Sequence, residues 1–130
     1  MKTLHLRVTL ITGNDDLRRG SWADFLLKIE GNSVPLEARQ FTGTGGLGPR
    51  SSRSFDVRLP VPDTFEPRHI ENFQIRHVSH EDLFETADNW DLRFAVVDII
   101  PAPPPSKRVG TTGSHRFDGS HRVLITPSVI

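Results

Sequence analysis

Thr3-Leu4-His5-Leu6-Arg7-Val8-Thr9-Leu10 alternates polar and apolar residues without a break. Successive side chains of a strand point to opposite faces, so this period of two reads as a half-buried strand with Leu4, Leu6, Val8 and Leu10 facing inward. Thr12-Gly13-Asn14-Asp15-Asp16 closes it, because Gly, Asn and Asp tolerate turn geometry. The alternation returns along the chain. Ala23, Phe25, Leu27 and Ile29 share one face within Ser21–Glu30, with Asp24, Lys28 and Glu30 opposite and Leu26 out of pattern. A helix there would have to bury Leu26 together with Leu27, so the strand is the stronger reading. Gly31-Asn32 marks a turn, and Val34-Pro35-Leu36 starts a short third strand. Phe55, Val57 and Leu59 mark a fourth strand; Phe73, Ile75 and His77 a fifth; Trp90, Leu92, Phe94 and Val96 a sixth. Beyond the stiff connector Pro101-Ala102-Pro103-Pro104-Pro105, His115–Phe117 and His121–Ile125 are expected to form a last hairpin around Asp118-Gly119-Ser120.

Short strands punctuated by ten Gly and ten Pro, without an amphipathic helix, predict an all-β fold, an antiparallel β-sandwich of about eight strands. A chain of 130 residues is one domain by length and can bury a core without covalent staples. It has no cysteine, which excludes disulfides, a thiol nucleophile and cysteine-ligated zinc. Sixteen basic residues balance sixteen acidic ones, which argues against a nucleic-acid partner held by bulk charge. No apolar run reaches the ~20 residues of a membrane-spanning helix, so the chain is not expected to be transmembrane. Met1–Arg7 contains neither a continuous apolar segment nor a small-residue cleavage site, and no signal peptide is expected in this stretch. Compartment and oligomeric state have no signature here.

Several of these residues carry a family resemblance. Val8-Thr9-Leu10-Ile11-Thr12-Gly13-Asn14-Asp15-Asp16, followed by Gly20-Ser21-Trp22-Ala23, resembles the first hairpin of the PLAT (lipoxygenase homology) domain. That hairpin typically reads strand, Thr-Gly, a short polar stretch, Gly-Thr/Ser and strand. Asn89-Trp90-Asp91-Leu92 through Val96 and Asp98 resembles the family's late strand that opens on Trp, and Phe55-Asp56-Val57 and Ile75-Arg76-His77 fit strands between. The resemblance covers roughly residues 4 to 100. It departs in the glycine-rich stretch from Gln40 to Arg53 and after Pro101, where the family has no obvious counterpart. It implies a PLAT-like β-sandwich over residues 1–100; residues 101–130 are read from their own sequence as a Pro-rich connector plus C-terminal hairpin, expected to pack on the same domain. It also implies a non-catalytic module that docks onto a protein or a membrane (lipid) surface, in some members with calcium.

If strands alternate direction and the short third strand exists, three connections meet at one end. These are the acidic first loop, the glycine-rich loop over 41–54 and the segment with Glu81, Asp82, Glu85 and Asp88. Calcium takes six to eight oxygen ligands, and Asn14, Asp15, Asp16 and Asp88 are the candidates. The competing reading makes them solvated turn residues with local hydrogen bonds. Arg18 and Arg19 sit at the tip of the first loop, and Arg50 and Arg53 flank the long loop; such guanidiniums suit anionic headgroups or an acidic partner, against surface solubility as the plainer role. Trp22 is a candidate for an apolar interface contact or for the start of a core row. The binding candidates are therefore Asp15, Asp16, Arg18, Arg19 and Trp22. The long loop is expected to be flexible, and its glycines lack a phosphate-loop pattern. His77, His80, His115 and His121 offer no converging zinc set. The lesser alternatives are a carbohydrate-binding or self-assembling structural module, and a small hydrolase, for which no Gly-x-Ser-x-Gly elbow exists.

Overall fold

The computed structural model describes residues 1–79, 89–101, 105–119 and 121–130. The readings placed on His80, Glu81, Asp82, Glu85 and Asp88 lie outside them. The described chain contains β1 (Lys2–Thr12), β2 (Trp22–Ile29), β3 (Leu36–Ala38), β4 (Ser52–Val61), β5 (Ile70–Val78), β6 (Trp90–Ile99), β7 (Lys107–Thr111), β8 (His115–Phe117) and β9 (Val123–Pro127), with a single 3-10 turn at Pro67–His69. They form two antiparallel sheets. One has the order β4-β1-β6-β7, with β8 also paired to β6; the other has the order β3-β2-β5-β9.

The fold is thus the antiparallel β-sandwich that the alternation predicts. Leu6, Val8, Phe25, Leu27, Phe73, Ile75 and Trp90 are fully buried between the sheets. Each such large side chain contributes roughly 1.5–3 kcal/mol relative to exposure. Trp90 stacks on Phe117 at 5.0 Å and donates its indole N–H to Thr12 Oγ1 at 3.1 Å, so the polar edge of the largest core residue is satisfied. His77 is buried beside both rings, at 5.9 Å from Trp90 and 5.8 Å from Phe117. Toward the β3–β4 side, Phe73, Phe25, Phe41 and Phe55 form a chain of ring contacts that closes the gap between the two sheets.

Four expectations differ from the structure. Phe94 and Val96 are not core residues, because β6 changes phase. Ile11 of β1 pairs with Phe94 and Thr12 with Leu92, leaving Arg93 unmatched. An extra residue in one strand is a β-bulge, and it inverts the facing of everything beyond it. Trp90 and Leu92 therefore face inward before the bulge, and Ala95, Val97 and Ile99 after it. Second, His115–Phe117 and Val123–Pro127 form no hairpin: β8 pairs with β6 and β9 with β5, one in each sheet. Third, β3 starts at Leu36 and leaves Val34 exposed, consistent with Pro35 having no N–H to donate to a ladder. Fourth, the glycine-rich stretch is pinned rather than loose. Leu17 and Leu47 exchange backbone hydrogen bonds at 3.0 and 2.9 Å, and both side chains are buried. Thr42 Oγ1 accepts from Ala23 N at 3.0 Å, and Gly20 N donates to Thr44 O at 2.8 Å.

Candidate functional site

The strand registers place the last residues of β1, β3, β5 and β8 and the first residues of β2, β4, β6 and β9 at one end of the sandwich. Both partners of β1 meet at its last residues. Gly13 N donates to Asp91 O at 2.8 Å, and Gly13 O accepts from Arg50 N at 2.7 Å. A Cβ at Gly13 would lie 3.2 Å from that of Asp91, so the close approach favours glycine. Arg50 and Asp91 are thereby fixed on either side of a cleft of about 430 Å³. Its lining includes Asn14, Arg50, Asp91, Arg93, Ser114 and Arg116.

The electrostatics of the cleft divide its arginines into two kinds. Arg116 is committed: Nη1 donates to Asp91 Oδ1 at 2.6 Å and Nη2 to Asp15 Oδ2 at 3.0 Å. The hydrogen bond to Asp91, then that to Asp15, holds the guanidinium above the ordinary arginine value, so it stays charged. Arg50 and Arg93, by contrast, have no ion pair among the described residues and are exposed. Both sit at backbone irregularities. Arg50 has φ +56°, a left-handed conformation uncommon for a residue with a side chain, and Arg93 is the unmatched residue of the β6 bulge.

The sequence candidates fall into place unevenly. Asn14 is exposed at the cleft. Asp15 is drawn into the Arg116 network, and its carbonyl accepts from Asp91 N at 3.0 Å. Asp16 and Arg18 are half-buried in the same loop, and Arg19 is exposed beside them. Trp22 is half-buried on the outer face of β2 opposite Val78, its indole N–H enclosed without a hydrogen-bond partner. Arg53 lies over the Phe55 ring at 4.9 Å instead of lining the cleft. Of the calcium candidates, Asp88 lies outside the described residues. Among those described, no three acidic or histidine side chains converge, and Asp15 already faces a cation. Ser114 and His115 both line the cleft but share no hydrogen bond; His115 Nε2 lies 3.2 Å from His121 O. Sequence reading missed Arg93, Asp91 and Arg116. Asp91 and Arg93 looked like ordinary outward residues of an alternating strand, and Arg116 reaches Asp15 across 101 residues of chain.

No family model and no curated protein matches the chain. Two solved lipoxygenase structures, both deletion variants, are similar in fold. One is 11% identical with a TM-score of 0.49, and the match covers 97% of this chain and 16% of that one. The other is 12% identical with a TM-score of 0.50, covering 98% of this chain and 17% of that one. At such identity the second likeness is one of fold. With the strand pairing above, it makes the chain a PLAT-like β-sandwich, the architecture of the N-terminal domain of lipoxygenase. The chain spans about a sixth of the length of the lipoxygenases it matches. No helix of the described residues is long and apolar enough to cross a membrane.

Proposed function

We propose that this domain is a non-catalytic docking module that meets an anionic lipid surface through the loop end of the sandwich. The observation that carries this reading is the convergence there of Arg19, Arg50 and Arg93, none with an acidic partner among the described residues. Guanidiniums at the rim of a rigid scaffold attract anionic headgroups, at about 1 kcal/mol per basic residue near the surface. The loops that present them are held by backbone hydrogen bonds, so little ordering entropy is lost on contact. The lipoxygenase likeness supports the module reading: the matched part is 17% of that lipoxygenase chain.

Cosedimentation with phosphatidylserine-containing vesicles tests the reading. Binding is expected to fall in Arg19→Glu and to survive in Lys107→Glu, which is exposed and begins the strand paired with the far end of β6. Equal loss in both variants, or no binding by the unsubstituted domain with or without calcium, contradicts it. For the calcium-assisted form, Asn14, Asp15 and Asp16 would be the described residues that hold the ion, with Asp88 outside the described residues. Added calcium then increases vesicle binding, and Asp16→Asn removes that increase.

A further inference from the structure

We infer that the cleft between Arg50 and Arg93 is a binding site for a phosphate group. This deepens the docking reading by assigning one end-loop feature a ligand chemistry, and it rests on that reading only for the lipid source of the phosphate.

Two separate departures from regular backbone deliver a guanidinium to the same place. The left-handed φ of +56° at Arg50 immediately follows Pro49 and precedes β4, while the Arg93 bulge interrupts β6. Bulges re-aim side chains, and non-glycine residues held at positive φ carry conformational strain that concentrates at binding sites. Neither arginine spends its charge within the described protein. Asp91, the carboxylate in the lining, is already neutralised by Arg116 at 2.6 Å. Arg50, Arg93 and Arg116 against Asp15 and Asp91 leave the cleft one positive charge in excess.

The ligand class follows from hydrogen-bond geometry. A guanidinium is a planar fork that engages two oxygens of one anion. A carboxylate has only two oxygens and a single negative charge, so two forks would have to share the same oxygens. A phosphate monoester has three free oxygens and one to two negative charges, and it suits two forks together. The Ser114 hydroxyl and the Asn14 amide supply further donors in the same lining. The cleft volume of about 430 Å³ exceeds what an inorganic anion fills and accommodates a phosphate carried on a larger molecule.

The test is a calorimetric titration of the intact chain with inorganic phosphate at constant ionic strength, paired with cosedimentation on phosphatidic acid vesicles. Saturable phosphate binding is expected, weakened about tenfold or more in Arg50→Gly and in Arg93→Met. Arg50→Gly removes the charge while easing the backbone, and the thermal midpoint of each variant verifies that it folds. If both variants also lose phosphatidic acid vesicles, the phosphate belongs to a lipid headgroup. If phosphate binding depends on both arginines while vesicles bind neither wild type nor variant, the cleft stands with a soluble phosphate ligand and the docking reading falls. Linear, non-saturating phosphate heats, or saturable binding unchanged in both variants, overturn the cleft assignment. Vesicle binding that falls in Arg19→Glu under that outcome leaves docking intact.

Discussion

Trp90 shows how one side chain ties the core to the candidate site. Its ring stacks between the sheets on Phe117, and its N–H holds Thr12, the residue before Gly13 at the base of the cleft. Trp90→Ala is expected to cost roughly 3–5 kcal/mol, read by denaturant midpoint, since a fully buried indole leaves a cavity the sandwich cannot refill. Phe94→Ala, two positions past Leu92 but beyond the bulge, is expected to cost well under half as much. Comparable losses from the two would refute the phase change in β6. Asp24 illustrates a charge that depends on its neighbours: it is buried on the outer face of β2, where Oδ1 accepts from Gln40 N at 2.8 Å and Oδ2 from Arg76 Nη2 at 2.8 Å. Arg76→Met leaves that carboxylate short of a partner and is expected to cost roughly 1–3 kcal/mol, whereas Arg7→Met at an exposed pair is expected to cost much less. Asp56 is an exposed carboxylate whose pKa is shifted. The His5 imidazole chiefly, and Arg7 after it, hold its carboxyl below the ordinary value of 3.8, against an opposing desolvation effect. A depressed folded value means stability that is present above the ordinary value and is lost as pH falls through the folded one. The gap in melting temperature between wild type and Asp56→Asn is therefore expected to be present above about pH 4 and to close as pH falls below it. A gap that is unchanged at acid pH would count against the ion-pair geometry.

At the scale of elements, the period-two pattern was legible wherever a strand keeps one register. β1, β2, β4 and β5 announce themselves through alternating Leu, Val, Phe and Ile, and β3 through the Gly31-Asn32 turn before it. β6 is legible only as far as Leu92, because a bulge has no composition of its own; the adjacent Val96-Val97 is the faint mark of the shifted phase. β7 was invisible because Lys107-Arg108-Val109-Gly110-Thr111 offers a single large apolar residue, and its place depends on Gly110, where a Cβ would lie 2.9 Å from a Phe73 ring atom. Asp118-Gly119-Ser120 suggested a hairpin, yet strand partners are chosen by long-range burial, which local turn chemistry does not encode. Deleting Arg93 is expected to unfold the domain, since Trp90 and Leu92 would then face out, while Arg93→Ala should leave the melting temperature nearly unchanged. Gly46→Ala is expected to loosen the glycine-rich segment. Its φ of +78° disfavours a side chain, and the new Cβ would sit 2.9 Å from Leu17 O. Faster amide exchange at Leu17 and Leu47 with the sandwich core intact would show it; unchanged exchange at both would argue that the two loops are not coupled.

Across the whole molecule, the sandwich converts sequence separation into proximity. Residues 13, 50, 91 and 116 come from four connections or strand ends and converge only because β1 lies between β4 and β6, and β8 extends along β6. That is why Asp15, Arg18, Arg19 and Arg50 were recognisable as charged loop residues, while the cleft that Arg50 lines was not: its lining also includes Arg93 and Arg116, which nothing in their local sequence distinguishes. The proposed function stands or falls on whether the domain uses this loop end as its contact surface. Amide NMR of the intact chain titrated with a short-chain anionic phospholipid tests it most directly. Shifts are predicted at residues 13–19, 44–51, 91–93 and 114–116, with the opposite connections at residues 30–35 and 62–69 unmoved. Perturbation centred on those opposite connections, or confined to the outer sheet faces, would contradict it.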